Sequence, residues 1–324
     1  MLKWIGKLIG GSPAAKSSVA SAPSSPLQDD TADAAWKVLL GQLLAPVDAL
    51  PKGNGRPGLA SDMLAYVVHG EPLAVLNEVG QRSGLGEALR ANGQAYGREP
   101  DRWASFYAQF DSVPAAAMLR WAMLLSACTT RPNAQASYFM LPGGVQWPEA
   151  LLVHACGHNG WNHQQSATRN VPMESFERIL VEGGLDPGAM LISAFATPLG
   201  TRYGAERRLA MVAELKGFSE AVGRQVEAIR PTLQVSDVAQ RLHVLNLLEK
   251  VESGPLTALA AELAELGVSS SKQVRAATEP LVRKCGAAMI EPLKSLATKG
   301  KPEQRVNALR LLWSLAAVSA PAEN

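Results

Sequence analysis

This chain of 324 residues has little cysteine, few aromatics and no excess of either charge. Its three cysteines, Cys128, Cys156 and Cys285, are odd in number and far apart. That spacing offers no disulfide framework and fits a reducing, cytoplasmic setting. Lysine and arginine total 31 against 29 acids, a formal charge of +2 without the basic excess of a nucleic-acid binder. No apolar run reaches the ~20 residues that cross a bilayer. Alternating β-branched runs are missing too, and with them a sheet of any size. What is present is alanine and leucine, within an apolar content of 47%. That composition packs as close-set helices, so the expected class is all-α.

The pattern divides into four stretches. Residues 1–10 open with Met1-Leu2-Lys3-Trp4-Ile5-Gly6-Lys7-Leu8-Ile9, apolar at helical spacing with lysines between. It is too short, and too interrupted by Lys7, for a secretory signal. About two turns have no stability of their own, so the segment reads either as a frayed terminus or as an amphipathic piece that docks peripherally on a membrane or a partner. Residues 11–29 are rich in Ser, Ala and Pro and read as a flexible linker. Gly10 to Ser17 resembles a phosphate-binding loop, but Ala15 replaces its second glycine and no strand precedes it.

Residues 30–200 read as an irregular helical domain. Asp30 or Thr31 caps a first helix carrying Trp36, Leu40 and Leu44, and Val113 to Cys128 forms a helix with Met118, Trp121 and Leu125. Arg131 to Gly144 is a loop. Residues 201–324 are more regular. Glu206 to Ala228 is expected as one helix with a break near Gly217. Ser236-Asp237, Gly254-Pro255 and Ser270-Ser271 then each open a helix, followed by Met289 to Thr298 and Pro302 to Ala317.

Within this last region the sequence repeats. Leu242, Val274 and Val306 follow similar polar openings, 32 residues apart (274 − 242 = 32, 306 − 274 = 32). Such a period marks stacked helical hairpins that share one core. Ser271 to Leu281 and Lys299 to Leu312, with the Val274-Arg275 opening of the second helix, resemble HEAT repeats. More narrowly they resemble the helical region of large bacterial proteins similar to the molybdate metabolism regulator, which continue into a C-terminal domain of unknown function. That resemblance implies a HEAT/armadillo-like α-solenoid with a less regular N-terminal half. It implies a protein-interaction scaffold whose partner is another protein or the C-terminal domain of a longer chain. It brings no reaction with it. At the repeat opening, Val274 is expected to point inward and Arg275 to bond a loop carbonyl or an acid of the adjoining repeat.

Two alternatives stand beside the scaffold. His154, Cys156, His158 and His163 lie within ten residues, and His154 and His158 share a helix face at i, i+4, a spacing used by zinc. These four are the candidate metal ligands of a metal-dependent enzyme, with zinc as its cofactor. No Glu adjoins His154, so the metalloprotease pattern is absent, and the alternative use of these histidines is to cap helix ends and bond carbonyls. The second alternative is a nucleic-acid-binding helical-repeat module. Trp103, Tyr107, Trp121, Tyr138, Trp147 and Trp161, interleaved with Arg102, Arg120 and Arg131, either line its groove or form the core of the irregular half. Tyr203, Arg207, Arg208 and Arg224 read as a solvated basic face.

Overall fold

A computed structural model describes residues 30–51, 53–82, 84–89, 102–129, 137–156, 171–200 and 204–319. Helices carry the described residues, with no strand among them. The one extended pairing is an isolated bridge between Pro172 and Lys216. Met1–Ile9, the linker, Arg131, His158, Trp161, His163 and Tyr203 lie outside the described residues. No described helix is long and apolar enough to cross a membrane.

The first half comprises α1 (Asp30–Leu44), α2 (Leu59–His69), α3 (Ala74–Gly80), α4 (Leu85–Ala88), α5 (Ala104–Tyr107), α6 (Ala115–Thr129) and α7 (Trp147–Ala155). Helix α6 is its axis. Ala117, Met118, Trp121, Ala122, Leu124 and Leu125 are buried along one broad face, about 160° of the helix at 100° per residue, and residues 115, 116, 119, 120, 123 and 126–128 are half-buried, so packing encloses the helix. It packs against α2, α3, α4 and α7, and then against α8 (Met173–Glu182). Arg120 leaves this helix to donate to the Val67 and Val68 carbonyls at 2.8 and 2.9 Å. It thereby satisfies acceptors that the last turn of α2 cannot bond internally.

Next come α9 (Ala189–Ala196), α10 (Ala205–Ala210), α11 (Phe218–Arg224) and α12 (Val226–Ile229). The helical stretch expected over Glu206 to Ala228 breaks at Gly217 as its sequence suggests, and divides once more, between α11 and α12. Gly217 takes φ +84, a left-handed conformation that ends one segment and starts the next.

The last stretch holds α13 (Val238–Glu249), α14 (Ser253–Thr257), α15 (Ala260–Gly267), α16 (Lys272–Cys285), α17 (Ile290–Lys299) and α18 (Pro302–Ser319). The caps announce the starts of α13 and α16, whereas the one helix expected from Gly254-Pro255 is split into α14 and α15, the second starting at Ala260 without a side-chain cap. The Asp237 side chain accepts from Gln240 N at 2.7 Å, and the Ser271 hydroxyl accepts from Val274 N at 3.4 Å. Two rows of contacts run along it. The 3-10 turn at 230–234 touches α15, which touches α17; alongside, α13 touches α16, which touches α18. Between the rows, α15 lies on α16 and α17 on α18. At Gly267 an added Cβ would sit 2.9 Å from Leu311 Cδ1, so α15 and α18 approach closely because this residue has no side chain.

The stride of this packing is 34 residues, not the 32 of the sequence likeness. Buried or half-buried positions recur as Gln240, Val274 and Ala308, and again as Leu247, Leu281 and Leu315 (274 − 240 = 34, 308 − 274 = 34). The caps Asp237 and Ser271 keep the same interval (271 − 237 = 34). So does a side-chain bond: Arg241 Nε donates to the Val235 carbonyl, and Arg275 donates to the Ser269 carbonyl. Arg275 also bonds the Ser270 carbonyl and lies 3.8 Å from Glu303, as its place in the sequence led one to expect. Val274 is fully buried and Leu242 half-buried, whereas Val306 is 66% exposed. The shift of two residues turns the helix by roughly 200° and carries Val306 to the outer face of α18. This register has a direct test. Leu311→Ala is expected to cost about 2 kcal/mol, while Leu309→Ala on the exposed side costs less than about 0.5 kcal/mol. Paired urea melts measure the difference, and equal losses would restore the shorter period.

Candidate functional site

His154 projects from α7 into the core of the first half. Its Nε2 is 2.7 Å from the Leu89 carbonyl and its Nδ1 is 2.7 Å from the Tyr107 hydroxyl. A carbonyl only accepts, so Nε2 carries the proton and Nδ1 accepts from Tyr107. The Tyr107 oxygen in turn accepts from Trp121 Nε1 at 3.2 Å. The donors therefore run in one direction, from Trp121 through Tyr107 and His154 to Leu89. Trp103 closes the chamber, stacked on Trp121 at 5.3 Å and edge-on to His154 at 4.7 Å.

A metal ion at His154 would have to break one of these bonds. Of the other three candidate ligands, Cys156 is buried with its sulfur 4.0 Å from the Met211 carbonyl, and His158 and His163 lie outside the described residues. No group of three or more His, Cys, Asp or Glu able to hold a metal occurs among the described residues. Four of the aromatics expected either in a groove or in a core are core, Tyr138 is half-buried, and Trp161 lies outside the described residues. Trp103, Tyr107, Trp121 and Trp147 are buried, and Arg102 donates to the Ala88 carbonyl instead of facing solvent. The basic face is also engaged: one terminal nitrogen of Arg224 donates to both Glu177 carboxylate oxygens at 2.7 Å, and Arg208 lies 3.7 Å from Glu149.

A further opening lies elsewhere, in the repeating region. A cavity of about 520 Å³ is lined by Leu233, Gln234, Arg241, Glu262, Leu266 and Gln304, with Glu265, Ser269 and Leu296 completing it. Its walls come from successive helix pairs, so it exists only because they stack. The volume is in the range that takes a side chain or a small ligand. Leu233, Leu266 and Leu296 are the apolar residues among a mostly polar lining. Arg241 stands on the α13 side, and Glu262 and Glu265 on the α15 side.

Glu262 is the unusual member. Its side chain is only 13% exposed, and Oε1 accepts from Arg230 at 2.5 Å, while Oε2 is buried without a hydrogen-bond partner. Arg230 is shared. It also donates to both Glu227 oxygens at 2.8 and 3.1 Å, and so holds the Glu227 carboxyl below the ordinary carboxylate range. Glu262 thus receives one donor where a buried carboxylate accommodates several. Sequence reading missed this cavity. Its residues are spread from 233 to 304, and the local signal is only a Glu262-x-x-Glu265 pair on a short helix.

Compared with known proteins, the chain matches no family model, no curated protein and no solved structure.

Proposed function

We propose that this protein is a HEAT-like α-solenoid scaffold that binds another protein along its repeating half. The observation that carries the reading is the cavity built across successive helix pairs. Stacked hairpins present a continuous, preformed surface, and a preformed surface binds without a large ordering cost. The 34-residue recurrence of burial, caps and Arg-to-carbonyl bonds supports the solenoid, and the likeness of Ser271 to Leu281 to HEAT repeats agrees with it. The likeness to molybdate-metabolism-regulator-like proteins belongs to this reading, with a C-terminal domain as one form of the partner. Three free cysteines suit a protein of the reducing cytoplasm.

A photo-crosslinking residue placed at Gln234 or Gln304 of the full chain tests the reading in cells. One discrete protein adduct is expected from each, and none from exposed Glu174 on α8. Adducts from all three positions alike, or from none, would remove the scaffold. Stoichiometric zinc in purified protein, lost on His158→Ala, would replace it with the metal-dependent alternative.

A further inference from the structure

We propose that the outer face of α18 docks an acidic amphipathic helix of the bound protein, an assignment that rests on the scaffold reading and names the segment its partner supplies. The face is apolar. Val306, Leu309 and Trp313 are 66, 50 and 80% exposed. With Pro302 and Ala316, also exposed, they follow the alternating four-and-three spacing that sets one seam along a helix. The register says what kind of element covers such a seam. In α16 the residues that meet α18 are Arg275, 3.8 Å from Glu303, and Glu279, 3.3 Å from Arg310. Both are half-buried, with α18 beside them. One repeat later the same two places hold Leu309 and Trp313 (309 − 275 = 34, 313 − 279 = 34). One repeat earlier the place of Glu279 holds Leu245, which is buried (279 − 245 = 34). Leu309 and Trp313 therefore stand where each helix of this row meets the next, and a helix laid over them continues the packing of α13, α16 and α18.

Charge selects among helices. On the side of the seam towards α16, Glu303 and Arg310 already face Arg275 and Glu279. On the other side, Lys301 and Arg305 are exposed and make no ion pair among the described residues. That open flank is positive, and an acidic helix complements it. A second copy of the chain does not. The apolar triple is centred on Leu309, so a twofold axis matching it to itself brings Arg310 against its own counterpart. Copies are also kept from stacking head to tail, because α9 covers the opposite end of the row through Gln240 and His243. The chain's own Met1–Ile9 carries Lys3 and Lys7 and repeats the positive charge.

The test titrates the full chain into a fluorescein-labelled peptide of about three heptads, with leucine at its seam positions and glutamate beside them, and follows anisotropy. One comparator has lysine in place of glutamate, and another has the same residues in scrambled order. The glutamate peptide is expected to bind roughly tenfold tighter than either. Trp313→Glu, at an exposed position, is expected to weaken it by about tenfold without changing the melting temperature. Arg305→Glu, also exposed, is expected to turn the preference towards the lysine peptide. Equal binding of the scrambled peptide, tighter binding of the lysine peptide to the unaltered chain, or no binding would overturn the assignment. A dimer in sedimentation that Trp313→Glu dissociates would give the face to a second copy instead. Tighter capture by phosphatidylserine vesicles than by the peptide would give it to an anionic membrane. If these arms fail while crosslinks form at Gln234 and Gln304, the scaffold stands without the docked helix. If both fail, both readings fall.

Discussion

His154→Ala is expected to lower the melting temperature by on the order of 10 °C. The substitution removes the acceptor of the Tyr107 hydroxyl and the donor to the Leu89 carbonyl, both inside the core. It also leaves a void beside Trp103, whose ring lies 4.7 Å from the imidazole. Lost buried hydrogen bonds and an unfilled cavity together cost about 3–5 kcal/mol, and a domain of this size loses a few degrees per kcal/mol. Tyr107→Phe, which takes one oxygen and leaves the packing, is expected to cost about 1–2 kcal/mol. Circular dichroism melts separate the two. An unchanged melting temperature in His154→Ala would mean that this core does not depend on its directed chain of donors.

The second large effect lies where the two halves meet. Helix α9 ends with carbonyls that have no partner in their own helix, and α13 supplies the donors. Gln240 Nε2 donates to the Phe195 carbonyl at 3.0 Å, and His243 Nε2 to the Ala194 carbonyl at 2.9 Å. His243→Ala orphans a buried acceptor and is expected to cost about 2–3 kcal/mol. It also has a signature in pH. Burial holds His243 below its ordinary value of 6.5, outweighing the backbone bond to Ala194 and the charge of Glu206. Below that value the unfolded chain takes a proton that the native imidazole refuses. Stability therefore falls as pH drops through 6.5, by at most about 1.4 kcal/mol per pH unit. His243→Gln keeps a donor and loses the titration, so its stability is expected to stay flat across that window. A retained slope in this variant would assign the dependence to another group. Glu78 acts in a separate window. Arg56, and then Arg82, hold its carboxyl at about 2, so its contribution is present above its ordinary value of 4.5 and is lost only as pH falls towards 2.

Local chemistry was legible in the sequence where it acts locally. Asp237 and Ser271 announce α13 and α16 because a cap bonds a backbone N–H only three residues away. Arg275 reaches carbonyls five and six residues back, a distance that its helix position already implies. The repeat period was misread for an instructive reason. The likeness lay in polar residues on the outer face, which keep their type freely, while the inward positions change with what they meet. Gln240 faces the carbonyl end of α9, and its counterparts Val274 and Ala308 are buried apolar residues, so no residue type marks the true register. The histidines show the converse. Their clustering suggests a local metal centre, but the partners of His154 lie 47 and 65 residues away, at Tyr107 and Leu89. Sequence spacing carries no trace of such pairings. The cavity was hidden for the same reason, since five separate elements compose it.

The outward turn of α18 has an optical consequence. Trp36, Trp103, Trp121 and Trp147 are buried, whereas Trp313 stands 80% exposed beside Val306 and Leu309. Iodide in solution reaches that one indole among them, and its emission is the red-shifted, quenchable part of their signal. Whatever settles over the end of the helix dries the ring, turns its light bluer and shields it from the salt, so the chain carries its own lamp for watching that end become covered.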